Sequence, residues 1–400
     1  MSLDSAIDRC IQCGFCLQAC PTYRLFETEE SSPRGRIARV KDVLAGEVAP
    51  TVQSLQTFSE CLGCRACETA CPSGVHYEEI LLYGRAELRR LEPEPRLAVR
   101  TLLRLISRPS GIRRMKRLWA RLGRAAIRFA RALRPRSPEL RLLAALPNPA
   151  PQAAPTQGDP DVTMHRGCLM DVFWEGTNAR AVLLLRDSGL RADLMEESAG
   201  CCGALHAHQG DTQTAREQAK RLIGAFETSG AKVISSLAGG CGAHLKEYPS
   251  LFADDATWRA RAERLSNAVR DVATLLRGQG VRPGDDGGRR VTYQDSCHLR
   301  NGLKVTAAPR ELLAGPGYCE MASAGSCCGS AGVYNLLRPD VADELLRRKV
   351  EEVREMGAQE VVTANPGCEL QWRMGAREAR LPVTVRHLVD HLWEERRGAQ

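Results

Sequence analysis

Eight cysteines fall in two runs of one form: Cys10, Cys13, Cys16 and Cys20 before Pro21, and Cys61, Cys64, Cys67 and Cys71 before Pro72. Both spell C-x2-C-x2-C-x3-C-P, the bacterial ferredoxin run, in which the fourth cysteine of one run serves the cluster of the other. A cubane needs one soft thiolate per iron, and a loop with a period of three residues offers three sulfurs to three corners. The fourth corner must be met from elsewhere. The spacing therefore predicts one 4Fe-4S cluster on Cys10, Cys13, Cys16 and Cys71, and a second on Cys61, Cys64, Cys67 and Cys20. Each proline removes a backbone donor and turns the chain away from the site. Zinc and disulfide frameworks also use four cysteines, but strict spacing of this kind, twice over, favours clusters.

A second set of eight cysteines lies further along. Cys168, Cys201-Cys202-Gly203 and Cys241 are followed by Cys297, Cys327-Cys328-Gly329 and Cys368, with offsets of 129, 126, 126 and 127 residues between equivalents. Such regularity with a shared CCG signature marks an internal duplication. Four cysteines per copy that meet at one point, two of them adjacent, suit a noncubane or bridged metal site better than a simple tetrahedral one. A reducible thiol pair is the runner-up, and a copy that holds no metal is the plainest alternative. Gly203, Gly329 and the run Gly239-Gly240-Cys241-Gly242 let the backbone come close to whatever is held. His206, His208, His244 and His298 accompany these cysteines as ligands or proton carriers, although a histidine on a polar turn is more often solvated. Cys319 has no counterpart in the first copy and is read as an ordinary buried thiol.

The elements that position these residues follow from periodicity and caps. Ser32-Pro33 starts a helix that Gly46 stops, with Ile37, Val40, Val43 and Leu44 on one face. A short helix near Pro50 carries Val52, Leu55 and Phe58, and Glu78 to Leu91 forms another that Pro93 and Pro95 end. The cluster module is thus of the larger helical ferredoxin type, as in subunits that couple to flavoproteins. Each CCG copy opens on a strand-like run (VTMHRGC, VTYQDSC), passes a CCG turn and a helix (Thr212 to Thr228; Asp340 to Met356), and reaches its last cysteine after a second strand (KVISS, EVVTANPGC). Alternating strands and helices predict an α/β layer architecture with its site at strand ends. The fold class is α+β multi-domain: an N-terminal α-helical ferredoxin-like domain, then a duplicated α/β CCG domain. Boundaries are expected at 1–95 for the 2x4Fe-4S domain, 96–146 for a basic helical segment, 147–160 for a proline-rich linker, 161–285 for the first CCG domain and 286–400 for the second.

Charge singles out one of these segments. From Arg96 to Arg136 there are 14 Lys and Arg and no Asp or Glu, within a chain of net charge +8. Arg117, Arg121, Arg124, Arg128 and Arg131 recur beside Leu118, Leu122, Ala125, Phe129 and Leu133, so one helix carries an arginine face and an apolar face. Such a helix suits an anionic membrane surface or a partner. The bias towards arginine, 49 of 56 basic residues, inflates any such cluster. No nucleic-acid recognition motif accompanies it, and nucleic acid is not expected as a partner. No apolar run approaches the roughly 20 residues of a membrane span. The polar start from Met1 to Arg9 carries no signal peptide, and reduced thiols holding iron point to the cytoplasm.

No G-x-G-x-x-G follows a strand, and neither a P-loop nor a G-x-S-x-G elbow is present. Nothing in the chain is equipped to take a hydride from an organic substrate, so a flavoprotein partner is implied. The ordered segments CIQCGFCLQACPTY, SPRGRI, CLGCRACETACPSGVHY, GCCGALHAHQG, GGCGAHLKEY, CCGSAGVYNL and TANPGC resemble the iron-sulfur subunits of bacterial glycolate oxidases across nearly the full length. The resemblance implies an electron-transfer subunit, not catalytic alone, beside two FAD-linked subunits. It would pass electrons from glycolate oxidation to a quinone or other respiratory acceptor at the cytoplasmic face of the inner membrane. The eight ferredoxin cysteines carry over one for one. Related heterodisulfide-reductase-type domains close with C-x-x-C, whereas His244 and Gln371 stand at that last place here. The alternatives are a thiol-disulfide redox subunit of that type and an iron-sulfur subunit for lactate or glycerol-3-phosphate oxidation. Cys168, Cys201, Cys202, Cys241, Cys297, Cys327, Cys328 and Cys368 are the further metal or iron-sulfur candidates.

Overall fold

The computed structural model describes residues 3–92, 96–133, 136–150, 152, 154–284 and 287–398. Pro93, Pro95 and the domain boundary at 285–286 lie outside the described residues. The N-terminal module is helical, as its sequence predicts. Ser32 caps the helix Pro33–Leu44 by accepting from the Gly35 N–H, a bond that satisfies one orphan donor at the helix start. The short helices Val52–Leu55 and Thr57–Glu60 and the longer Tyr77–Leu91 close over a core of Ile37, Val40, Leu55, Phe58, Tyr77 and Ile80. Burying a side chain such as Phe58 contributes about 1.5–3 kcal/mol. Gly84 is required there, because a Cβ would stand 2.4 Å from the Phe58 ring.

Two small parallel sheets follow, one per copy. The first has the order β2-β1-β3, from β1 (Val162–His165), β2 (Ala192–Leu194) and β3 (Val233–Ser236). The second has the order β4-β5-β6, from β4 (Val291–Gln294), β5 (Glu360–Thr363) and β6 (Thr384–His387). β1 and β4 open the copies, and β3 and β5 lead to their last cysteines, as expected from the sequence. The third strands, β2 and β6, do not correspond to one another. In each copy the missing fourth position survives as a single parallel bridge, Val291 with Tyr318 and Ile234 with Val269. Only β2 and β6 were not legible in the sequence: β2 has three residues, and β6 is a four-residue run directly joined to the last helix.

The basic segment forms the helices Leu97–Ile106, Pro109–Ala132 and Pro138–Ala145. The long helix buries Ile112, Trp119, Gly123, Ile127 and Ala130, with Trp119 edge-on to Phe173 at 4.8 Å. That stripe is not the apolar face expected from the sequence. Leu118, Leu122, Phe129 and Leu133 are exposed, so the helix has two apolar rows. Of the proline-rich segment, Pro155, Gln157 and Gly158 lie against the first copy. The Gln157 and Gly158 N–H groups donate to Asp193, and Pro155 accepts from Arg186. The copies join through Arg180 and Thr177, both bonded to Asp390, and through His387, whose Nε2 is 2.9 Å from the Leu237 carbonyl. Among the described residues no helix is long and apolar enough to cross a membrane.

Candidate functional site

The two ferredoxin loops bend alike. Gln12 and Gly14 flank Cys13 at φ 58° and 84°, and Gly63 and Arg65 flank Cys64 at φ 63° and 60°. Left-handed residues on both sides of the middle cysteine wrap the loop into a cup. Cys10, Cys13, Cys16 and Cys71 line one small cavity with Ile11, Phe15 and Ile37, and Cys67 of the other run reaches its wall. Cys61, Cys64 and Cys67 are electrostatic neighbours of one another and of Cys20. Burial pushes the Cys64 and Cys67 thiols well above the ordinary range. Metal ligation would replace those protons, because the ligand is the thiolate.

A structural observation tests whether the enclosed set suits an anionic cluster. Arg36 is fully buried. Its Nε donates to the Thr57 carbonyl at 2.7 Å and one Nη to Thr22 Oγ1 at 3.2 Å, while Nη1 has no partner. Tyr77, Cys61 and Cys20 surround it. A buried guanidinium with a spare donor, turned towards thiols instead of a carboxylate, fits a negatively charged tetrathiolate centre. Arg36 was not singled out in the sequence, since one arginine among 49 gives no signal of its own.

The CCG cysteines gather as expected, at the C-terminal ends of the strands. In the first copy the contacts run Cys168–Cys201–Cys202–Cys241, with Cys168 and Cys201 sulfurs 3.3 Å apart. In the second they run Cys297–Cys327–Cys328–Cys368. None of the 17 cysteines is in a disulfide. Gly203 and Gly329 hold the turns at φ 95° and 89°, and a Cβ on Gly329 would meet the Ala342 carbonyl at 2.7 Å. Cys319 is only half-buried; its sulfur faces the Val291 carbonyl at 3.5 Å beside the single bridge at Tyr318.

The histidines expected to be solvated are not. His206, His244 and His298 are buried, because the two copies and the cluster module close over them. His208 stacks on His298 at 5.4 Å and approaches Glu78 at 3.4 Å. Burial opposes the charge on Glu78, but His208 and Arg65 outweigh it and hold the carboxyl below its usual range. Burial brings His244 down to about 4.

The enclosed loop touches the second copy directly. Leu62, Cys64, Cys297, Cys327 and Tyr334 share one apolar cluster, and Asn301 Nδ2 donates to the Cys64 carbonyl at 2.8 Å. A cavity of about 510 Å³ opens there, lined by Cys64, Cys297 and Cys327 and by Arg24, Arg300 and Lys349.

Comparison with known proteins agrees with this layout. The 4Fe-4S dicluster domain family matches residues 6–75, which places a two-cluster 4Fe-4S domain at the N-terminus. The cysteine-rich domain family matches residues 162–246 and 291–373. The chain is 37% identical to the probable glycolate oxidase iron-sulfur subunit of Bacillus subtilis, over 96% of this chain and 93% of that one. It is 31% identical to the glycolate oxidase iron-sulfur subunit of Escherichia coli, over 98% and 94%. Lactate utilization protein A of Geobacillus kaustophilus is 31% identical over 58% of this chain and 98% of its own.

Proposed function

The chain belongs to the family of glycolate oxidase iron-sulfur subunits, and from that premise we propose that it is the electron relay of a flavin-dependent 2-hydroxy-acid oxidase. Partner subunits that bind FAD would oxidise glycolate to glyoxylate, and this chain would carry the electrons towards a quinone or another respiratory acceptor. The observation that carries the reading is the contrast between an open cysteine loop and an enclosed one that abuts the second CCG copy. In this reading Cys10, Cys13, Cys16 and Cys71 hold one cluster, and Cys61, Cys64, Cys67 and Cys20 hold the other. Two 4Fe-4S clusters, when bound, supply one-electron acceptance and donation. The chain's own residues set the surroundings. Ile11 and Phe15, 68% and 67% exposed, offer an apolar rim beside Cys13 against which a partner excludes water. Arg36 balances negative charge at the enclosed site.

Substrate chemistry lies outside the chain, and the similarity to lactate utilization protein A supports lactate as the alternative substrate. The cavity at Cys297 and Cys327 favours one further reading, thiol-disulfide chemistry at the second copy. A single experiment separates relay from thiol chemistry. The isolated chain should not oxidise glycolate, because its carriers take one electron at a time and no hydride acceptor is present. Reconstituted with its flavoprotein partners, the Cys64→Ser variant should keep substrate-dependent flavin reduction and lose transfer to quinone or dye in rapid-mixing absorbance. Glycolate turnover by the isolated chain, or disulfide reduction without a flavoprotein, would sink the relay.

A peripheral position at the cytoplasmic face of the inner membrane is part of the same proposal. The exposed row Leu118, Leu122, Phe129 and Leu133 runs beside Arg117, Arg121, Arg124 and Arg128 on one helix. An apolar row edged with arginines matches an anionic lipid surface. Each arginine near such a surface contributes about 1 kcal/mol, screened by salt. Charge reversal at Arg121, Arg124 and Arg128 should weaken vesicle binding at least about 100-fold. Binding that neither the reversal nor high salt alters would remove the membrane from the proposal.

A further inference from the structure

The first CCG copy contains a donor that the second lacks. His165 ends β1, the central strand of its sheet, and is 1% exposed. Neither of its ring nitrogens has a hydrogen-bond partner apart from the neighbouring Cys241 thiol. A ring nitrogen of His165 and the sulfurs of Cys202 and Cys241 all lie within 4.8 Å of one another. Cys202 follows β2 in the CCG turn, and Cys241 lies in the helix Gly239–Lys246 after β3. Three adjacent parallel strands thus deliver one imidazole and two thiols, Cys241 half-buried and the others buried, to a single point at their C-terminal ends, where sites on such sheets are assembled.

The duplication supplies an internal control. The position equivalent to His165 is Gln294, the last residue of β4. Gln294 is fully buried as well, but every part of its amide is used. Its Nε2 donates to the carbonyls of Asp295, Ala324 and Ser326 at 2.7, 2.9 and 3.1 Å, and its Oε1 accepts from Trp372 Nε1 at 3.2 Å. Gln294 is a structural plug. A histidine retained at the same place for structure alone would be bonded in the same way, because an unpaired buried polar group is costly. The nitrogens of His165, otherwise unpaired beside two thiols, call for a different partner, one that accepts both imidazole and thiolate.

We propose that His165, Cys202 and Cys241 bind a single borderline divalent ion, zinc or ferrous iron, and that this centre exists in the first copy and not in the second. Neutral imidazole and thiolate are the ordinary ligands of such ions. The fourth position is completed from Cys168 or Cys201, whose sulfurs are 3.3 Å apart in the same pocket. Related domains end on C-x-x-C, and here the last place of that pattern is His244. His165, at the end of a strand, stands beside Cys202 and Cys241 and offers a further donor. Binding releases the thiol protons and forms metal-sulfur and metal-nitrogen bonds with no change of oxidation state.

The full chain, purified anaerobically, tests the assignment by metal and acid-labile sulfide analysis. Wild type should hold about one zinc or iron per chain beyond the roughly eight irons of two 4Fe-4S clusters, with no added sulfide. His165→Gln, which copies the second repeat, should lose that one equivalent and keep the cluster iron and sulfide. His165→Cys should retain it, and Gln294→Ala should leave it unchanged. Zinc and iron are told apart directly by the element recovered. Cadmium NMR of wild type exchanged with the labelled metal and carrying nitrogen-15 histidine should show metal-nitrogen coupling, a readout that does not depend on any variant folding. A metal content that His165→Gln leaves intact, an absent coupling, or an extra equivalent recovered as iron with matching sulfide would each overturn the proposal.

Discussion

The loop around Cys13 and the loop around Cys64 turn through left-handed residues at the same two places, yet they meet opposite surroundings. Cys13 is exposed and flanked by the exposed side chains Ile11 and Phe15. Cys64 is buried and packed on Cys297 and Cys327 of the second CCG copy. The helix Pro33–Leu44 gives each loop an arginine, and the two are treated differently. Arg34, beside the outer loop, donates to the Gln12 carbonyl at 3.2 Å but is paired bidentately with Glu29 at 2.7 and 3.0 Å. Arg36, beside the inner loop, is buried with no carboxylate partner among the described residues. An unpaired positive charge in a low-dielectric site favours the more negative, reduced form of any centre held there. In the proposed relay this contrast sets a direction: contact with a partner at the outer loop, and the higher potential at the inner one.

The largest effect that could break this comparison comes from the crossed ligand sets proposed above. Cys20 stands in the outer run of the sequence and lies near Cys16 there, but it is a charge neighbour of Cys64 and Cys67 in the inner loop as well. Cys20→Ser should therefore alter or remove the inner cluster, lowering iron by up to about four per chain, and leave the outer spectrum unchanged. Resonance Raman or EPR spectra in which only the outer cluster changes would refute the pairing. Next in size is the docking rim. Replacing Ile11 and Phe15 together with Ser removes two exposed apolar side chains from a contact, where each is worth on the order of 1 kcal/mol. The half-saturating concentration of flavoprotein partner should rise about tenfold or more, with metal content unchanged. An unchanged titration would move the entry point away from the outer loop.

Much of this was legible in the chain, and the losses have physical causes. The cysteine runs and the duplicated CCG pattern are set by local spacing, which sequence shows directly. The helix Pro33–Leu44 announced itself through Ser32 and Pro33, and its observed span agrees. What stayed hidden depends on packing between distant segments. His208 and His298, on polar-looking turns, are stacked in the interior because three parts of the chain meet there. The basic helix showed one apolar row in its sequence, but the row it buries is Ile112, Trp119, Ile127 and their neighbours. Spacing alone cannot tell which of two rows faces a core. His165 is the instructive omission. Aligning VTMHRGC with VTYQDSC sets it opposite Gln294, one of four differences between the two runs, and the one that exchanges a metal-binding imidazole for an amide.

The smallest expected effect is also the sharpest test of the difference between the loops. Arg36→Gln keeps a donor at the inner site and removes its charge, while Arg34 and the outer loop stay as they are. A hydrogen bond to a charged group is worth about 1.5 kcal/mol at the lower end of its range, and for a one-electron couple about 1.4 kcal/mol corresponds to 59 mV. The sign follows from charge: without the guanidinium the reduced cluster is less well compensated, so its potential falls. A redox titration followed by EPR should show the inner cluster lowered by about 60 mV and the outer one unmoved. Electron transfer from the outer to the inner site should slow as the driving force shrinks. A shift confined to the outer cluster, or none in either, would mean that the unpaired arginine does not distinguish the two sites, and the direction of flow would then need another cause.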